Sequence, residues 1–265
     1  MASAPNHEFG SQDTDLKLSI VEQYLRQFST ALTGKFPELW YVDAFAGTGK
    51  RTVRVEARGS DLFDAAVPEQ VEHRRGSAQI ALDIKPPFNR LVFVEKNPRY
   101  CAALHEMAAG HPDRKIDVIE GDANSELLRI IDHTNWRKVR AVMFLDPYGM
   151  EVEWTTLEAI ARTEAIDLWY LFSLSGLYRQ ATRDAADIDP SKRSALNRML
   201  GSDRWQNEIY STSTENTLFG PSELERRTAD VRGLENYVKM RLQEIFPIVL
   251  DPLALPIQRR PQLFS

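Results

Sequence analysis

Apolar residues gather in five short runs along the chain: "LWYVDAF" (39–45), "RLVFVEK" (90–96), "IDVIEGD" (116–122), "AVMFLDP" (141–147) and "AIDLWYLF" (165–172). Each is rich in Val, Ile, Phe or Tyr, and its apolar positions are continuous rather than alternating. Such runs predict strands buried on both faces, as in a parallel sheet. Between them the spacing lengthens to the helical period. Residues 16–32 place Ile20, Val21, Tyr24, Leu25, Phe28 and Leu32 on one face. "GSAQIALDI" (76–84) predicts a helix that ends before Pro86. "NPRYCAALHEMAA" offers Asn97 as N-cap and Pro98 at the first helical position. "DPSKRSALNRML" repeats that Asp-Pro start, and "NSELLRIID" begins just after Asp122. In "TTLEAIART", Thr155 with Glu158 three residues on fits a capping box. Residues 221–246 carry a last amphipathic stripe through Leu224, Val231, Leu234, Val238 and Leu242.

Strands that alternate with helices predict an α/β fold: a doubly wound, mostly parallel, Rossmann-like sheet. The rhythm predicts a single domain over residues 14–265 behind a disordered lead, 1–13. Two stretches interrupt it. Residues 51–75 read as a polar insertion loop, and 173–247 as a helical insertion after the fifth strand. Composition adds limits. With 43% hydrophobic and 27% charged residues the chain is ordinary for a globular protein. It has no apolar run of the roughly 18 residues a membrane span needs. Its start lacks a basic segment followed by an apolar core, so no export signal is expected and the cytoplasm is the expected compartment. Cys101 is the only cysteine, so neither a disulfide framework nor a thiolate metal cluster can form within one chain. The formal charge of −5 argues against broad coating by a polyanion, though not against a local basic cleft.

The first run leads into small residues, "WYVDAFAGTGKRT" (40–52), as a strand entering a ligand loop would. A triphosphate loop needs a glycine, four residues, then Gly-Lys-Ser/Thr. Here Ala44 stands where the first glycine belongs and Arg51 where the hydroxyl belongs. A dinucleotide loop needs a third glycine and an acid about 20 residues on. Position 52 is Thr, and the next strand-end acid, Glu95, lies beyond the insertion. S-adenosyl-L-methionine carries no phosphate. Its pattern is an acid on the first strand, a small-residue turn, an acid ending the second strand and a polar residue after the third. Asp43, then Ala44, Phe45, Gly47 and Gly49, then Glu95 with Lys96, then Asp122 with Ala123 supply that order. Glu95, an acceptor-only carboxylate, suits a ribose diol; Asp122 suits the adenine amine, with the Ala123 N–H facing a ring nitrogen. The plainer role of Asp122 is to cap the helix that follows.

"FLDPYGM" (144–150) ends the fourth run. It resembles the Asp-Pro-aromatic element of amino-group methyltransferases. By that resemblance Asp146 accepts from an exocyclic amine, Pro147 stiffens the turn and Tyr148 stacks on a base, with Gly149 giving an unusual backbone angle. Methyl transfer from a sulfonium is a one-step displacement, so alignment supplies much of the rate. The alternative is that "DPYG" is simply a turn.

The segments "YVDAFAGTG", "GSAQIAL", "PPFNRLVFVEKNPRY", "GDAN" and "FLDPYGMEVEWTTLEAIARTEAIDLWYLF" resemble the three-Cys-motif partner proteins over about residues 15–250. The resemblance implies a class I methyltransferase fold and, as partner, a separate three-cysteine-motif protein; it implies no substrate. Two functions are therefore expected. One is an S-adenosyl-L-methionine-dependent methyltransferase acting on an exocyclic amine of a nucleic-acid base. The other is a methyltransferase-like partner module with little catalysis of its own. "PIVLDPLALP" and "QLFS" are candidates for the closing hairpin of such a sheet. The scattered histidines show no metal spacing. Tyr178, Arg179 and Arg183 after the fifth run are candidates to face a substrate; Trp154 and Trp169 are candidates for the core, and Trp205 for packing or base stacking.

Overall fold

A computed structural model of the chain describes residues 12–55, 70–217, 220–253 and 263–264. Most of the expected lead, 1–11, and the middle of the first insertion, 56–69, lie outside the described residues. Helices and parallel strands alternate as the apolar runs require, so the chain is α/β with a mostly parallel, Rossmann-like sheet flanked by helices. It divides into two compact units, Met1–Gly121 with Lys138–Arg140, and Asp122–Arg137 with Ala141–Ser265.

In the first unit, β1 (Glu38–Asp43), β4 (Arg90–Glu95) and β5 (Ile116–Glu120) lie side by side, all parallel. Tyr41, Val42 and Leu91 through Val94 are at most 1% exposed, which is why these runs are continuously apolar. Each such side chain contributes about 1.5–3 kcal/mol through burial. Helix α1 (Gln12–Leu32) buries Leu18, Val21, Leu25 and Phe28 at the three- and four-residue spacing of one helical face. Phe28 meets Phe88, and Phe88 meets Tyr41 of β1, with ring centroids 6.1 and 5.9 Å apart. Helix α2 (Ser77–Asp83) precedes β4, and α3 (Pro98–Ala109) follows it. Asn97 caps α3 as expected: its side chain accepts from the Arg99 N–H, and Pro98 occupies the first turn.

The first insertion departs from expectation. Lys50–Val55 (β2) and Gln70–Arg75 (β3) pair as an antiparallel ladder, where a polar loop was expected. Charges along both segments hide the pattern of an apolar face, but a ladder needs only backbone donors and acceptors and β-tolerant residues such as Thr52, Val53, Val55 and Val71.

In the second unit, residues Ala141–Leu145 of β6 (Val139–Leu145) pair in parallel with β7 (Ile166–Phe172). Antiparallel β10 (Leu263–Phe264) lies on the other side of β7. Part of "QLFS" is thus a closing strand, whereas residues 247–253 are not in a strand. Helices α4 (Ala123–His133) and α5 (Trp154–Arg162) flank these strands in sequence. After β7 come α6 (Leu174–Gln180), a 3₁₀ turn (Ala185–Asp187), α7 (Pro190–Leu200) and α8 (Trp205–Glu208). A hairpin of β8 (Tyr210–Thr217) and β9 (Gly220–Arg227), then α9 (Val231–Gln243), complete the insertion. The hairpin corrects the expected long helix over 221–246. Its partner strand, rich in Ser and Thr, lies outside the window in which periodicity was read. The helix begins only at Val231, where the Asp230 side chain accepts from the Gly233 N–H at 2.7 Å.

Trp154 anchors this insertion. It is 4% exposed, and Arg241 of α9 lies over its ring at 4.8 Å while donating to the Leu200 carbonyl of α7 at 2.9 Å. Gly201 ends α7 with φ +75°, and a Cβ there would lie 2.2 Å from a Trp154 ring carbon. Gly201→Ala is expected to lower stability by about 2–4 kcal/mol, from the left-handed backbone and the overpacking together. Chemical denaturation reads it; a change below about 0.5 kcal/mol would contradict this packing. Trp205 is 1% exposed and its Nε1–H donates to Asn197 Oδ1 at 2.7 Å, so its role is packing and not base stacking. No helix among the described residues is long and apolar enough to cross a membrane.

Candidate functional site

The glycine loop of the first unit is built on β1. Asp43 ends the strand with no exposed surface. Its Oδ1 accepts the Phe45 N–H at 3.2 Å and its Oδ2 accepts the Tyr41 hydroxyl at 3.3 Å. A carboxylate so enclosed shapes the turn. Ala44 and Ala46 are also buried, while Phe45 and Gly47 are half-buried. The Ala46 N–H donates to the Val94 carbonyl at 3.2 Å, which carries the loop across to the end of β4.

There it meets Glu95. The Gly47 N–H donates to Glu95 Oε2 at 2.9 Å and the Asn97 N–H donates to Oε1 at 2.8 Å. The Glu95 carbonyl accepts the Gly121 N–H at 3.0 Å and the Cys101 thiol at 3.2 Å. Burial, with the Glu120 and Glu95 carboxylates nearby, raises the Cys101 pKa, so the thiol stays protonated and remains a donor. Glu95 is thereby held at both ends. A carboxylate offers about four lone-pair sites, and the backbone donors take one on each oxygen. The carboxylate is half-buried and Lys96 beside it is exposed.

The two glycines serve different ends. Both have left-handed φ, +59° at Gly47 and +70° at Gly49. A Cβ at Gly49 would crowd Met107 Sδ at 3.2 Å, so Gly49 is needed for packing as well. A Cβ at Gly47 would meet nothing within 4 Å, so open space lies beside Glu95. The loop's donors are largely consumed. The N–H groups of Phe45, Ala46 and Gly47 are spent as described, and that of Gly49 goes to the Ala46 carbonyl at 3.3 Å. A phosphate nest requires successive N–H groups turned outward. This loop turns them onto its own acceptors and presents a carboxylate instead. The Gly76 N–H donates to the Gly49 carbonyl at 3.0 Å and closes the base of the β2–β3 hairpin against the loop.

In the second unit, Asp122 is the N-cap of α4. Its Oδ1 accepts the Ser125 N–H at 3.1 Å and the Ser125 hydroxyl at 3.2 Å, which is the plainer of its two expected roles. Ala123, the first helical residue, is buried, and its N–H is one of those that no helix satisfies internally. Asn124 is the residue the sequence reading passed over. Its Nδ2 donates to the Glu151 carbonyl at 2.9 Å, and its Oδ1 accepts both the Glu153 N–H and the Thr156 hydroxyl at 2.9 Å. The capping box expected at Thr155 does not form: α5 starts a residue earlier, and Asn124 supplies the acceptor from outside the helix. The only signal in the sequence was an amide two residues after the strand-end acid.

Asn124 thus ties the start of α4 to the segment that follows Asp146-Pro147-Tyr148. Asp146 and Pro147 are half-buried, and Tyr148 is 62% exposed, with its N–H donating to Glu151 Oε2 at 3.2 Å. Gly149 has φ +77°, the unusual angle expected of it. Helix α6 packs on the same element: a Cβ at Gly176 would lie 3.1 Å from Met150 Cγ. Within this unit, Asp122, Ala123 and the Asp146–Tyr148 element are therefore joined through one amide. Asn124→Ala is expected to cost about 2–3 kcal/mol, because it leaves partly buried backbone groups without partners. Thermal unfolding reads the loss, and a melting temperature equal to that of the unaltered chain would contradict it.

No protein-family model matches the sequence, and no curated protein matches it. Solved structures resemble it distantly. Protein LPL1258 from Legionella pneumophila is 14% identical over 89% of this chain and 91% of its own, with a TM-score of 0.45. The N-terminal domain of EvdMO1, solved in the presence of SAH and D-fucose, is 10% identical over 97% of this chain and 82% of its own, with a TM-score of 0.41. An rRNA methylase from Streptococcus thermophilus is 12% identical over 79% of this chain and 95% of its own, with a TM-score of 0.33. Scores and identities this low carry no argument about activity, which rests on the geometry of the two loops.

Proposed function

We propose that the chain is an S-adenosyl-L-methionine-dependent methyltransferase acting on an exocyclic amine of a nucleic-acid base. One observation carries the reading: a glycine loop that spends its N–H groups internally and faces open space with a fixed carboxylate, Glu95. A triphosphate or pyrophosphate in that place would meet negative charge and few donors. A ribose diol would meet the acceptor it needs, so the donor set fits a nucleoside cofactor without phosphate. S-adenosyl-L-methionine supplies a methyl group on a positively charged sulfur.

Each residue then has a role. Glu95 accepts from the ribose hydroxyls, and Gly47 and Gly49 admit close backbone approach. Asp43 and Ala44 fix the turn, while Phe45 and Lys96 flank it. Asp122 and the Ala123 N–H serve the adenine edge. Asp146 accepts from the acceptor amine and holds its lone pair in line, Pro147 limits the turn's freedom, and Tyr148 offers an exposed ring to a base. The test is incubation of the isolated chain with S-adenosyl-L-methionine labelled in its methyl group and single-stranded RNA or DNA. Label in the nucleic acid is the expected result. Cofactor binding with no transfer to either would remove the base-directed half of the proposal.

A second reading, a partner module for a three-cysteine-motif protein, draws support from a separate feature. Met240, Ile248, Leu250 and Leu253 are 45%, 78%, 66% and 40% exposed, an apolar strip running from α9 into the segment after it. Stable co-purification with such a protein, together with no methyl transfer by the isolated chain, would favour this reading over the first.

A further inference from the structure

Helix α6 leaves the same edge of the second unit's sheet as the Asp146 element, because β6 and β7 are parallel neighbours. It packs on Met150 through Gly176. Two residues further on stands Tyr178, 43% exposed, with the Arg227 guanidinium 3.9 Å from its ring centre. The Arg227 N–H donates to the Arg183 carbonyl at 2.8 Å, so the end of β9 and the segment that follows α6 are fastened together. Arg179 and Arg183 are both exposed. Several arginines on this acidic chain are paired: Arg26, Arg75, Arg129 and Arg204 all face carboxylates, and Arg226, next to Arg227, pairs with Asp184 at 3.1 Å. Arg179, Arg183 and Arg227 have no carboxylate within ion-pair distance among the described residues. In addition, Arg227 Nη1 is buried and has no hydrogen-bond acceptor among them.

We infer that Tyr178, Arg179, Arg183 and Arg227 form a docking surface for single-stranded nucleic acid, beside the Asp146–Tyr148 element. The inference rests on the base-directed reading above and names the surface that would hold the strand. Guanidinium groups without carboxylates suit phosphate oxygens, and an exposed aromatic ring backed by a guanidinium suits an unstacked base. An unpaired strand fits because a base presented to Tyr148 must already be out of a duplex. The neighbouring acid, Asp184, is already paired with Arg226.

The experiment is fluorescence anisotropy of labelled single-stranded RNA and DNA of one sequence, without cofactor, over a range of salt. The full chain is expected to bind, with affinity that falls as salt rises. Arg179→Ala/Arg183→Ala is expected to weaken binding about tenfold and to flatten the salt slope by about 1.4, since each phosphate contact on a single strand contributes about 0.7. The pair of affinities says which sugar is preferred. Equal affinity in the double variant, equal competition by polyglutamate, or no binding at all would overturn the inference. Cofactor affinity is measured separately: its absence alongside intact strand binding sinks the methyltransferase reading and leaves this surface standing.

Discussion

Replacing Glu95 with alanine is expected to weaken S-adenosyl-L-methionine binding at least about a hundredfold, or about 3 kcal/mol. Two hydrogen bonds from a ribose to a charged acceptor are each worth about 1.5–3 kcal/mol. The loop adds to the loss, because Gly47 and Asn97 both donate to this carboxylate and would be left without an acceptor. Glu95→Gln is a more searching variant. An amide has one acceptor oxygen and one donor nitrogen, so either orientation sets an N–H₂ against a backbone N–H. It is expected to bind nearly as poorly as the alanine variant, although it keeps the size of the side chain. Circular dichroism melting separates lost affinity from lost fold. Unchanged affinity in a folded Glu95→Ala chain would show that the ribose is held elsewhere.

Asp146→Ala is expected to do the opposite: to leave cofactor affinity within about twofold and to lower turnover about 10²–10⁴-fold, the range for a positioned proton acceptor. The basis is its place. Asp146 lies past the end of β6, in a turn held by Pro147, by Gly149 at φ +77° and by the Asn124 amide behind it. Single-turnover methyl transfer with saturating cofactor is the measurement. Full activity in this variant would reduce "DPYG" to the turn that its composition also predicts.

The fold was largely legible because its driving force is local in sequence. Continuous apolar runs located all five parallel strands to within a few residues, since burial on both faces leaves no room for alternation. Asn97-Pro98 and Asp189-Pro190 announced their helices because capping acts within a single turn. What failed was non-local. Residues 220–227 contain good helix formers, yet they pair with Tyr210–Thr217, and pairing is not visible in either segment alone. The hairpin of the first insertion was hidden in the same way. Thr155 and Glu158 formed a capping box on paper, but an amide nearly 30 positions away caps that helix start.

The site was legible in its residue types and less so in its roles. Glu95 stands at the strand end as its spacing foretold. That its carboxylate would be gripped by Gly47 and Asn97 could not be read from a list of acids. That the Asp43 carboxylate would be enclosed, accepting from the Phe45 N–H and the Tyr41 hydroxyl, was equally invisible. Asp122 caps a helix whether or not it also meets an adenine. Asn124 escaped notice because its value lies in three bonds to a segment distant in sequence.

The most direct test is calorimetric titration of the full chain with S-adenosyl-L-methionine, and separately with ATP and a nicotinamide dinucleotide. Saturable one-to-one binding of the first, and no heat from the two phosphate-bearing ligands, is the predicted result. Binding of either phosphate ligand with none of S-adenosyl-L-methionine would contradict it.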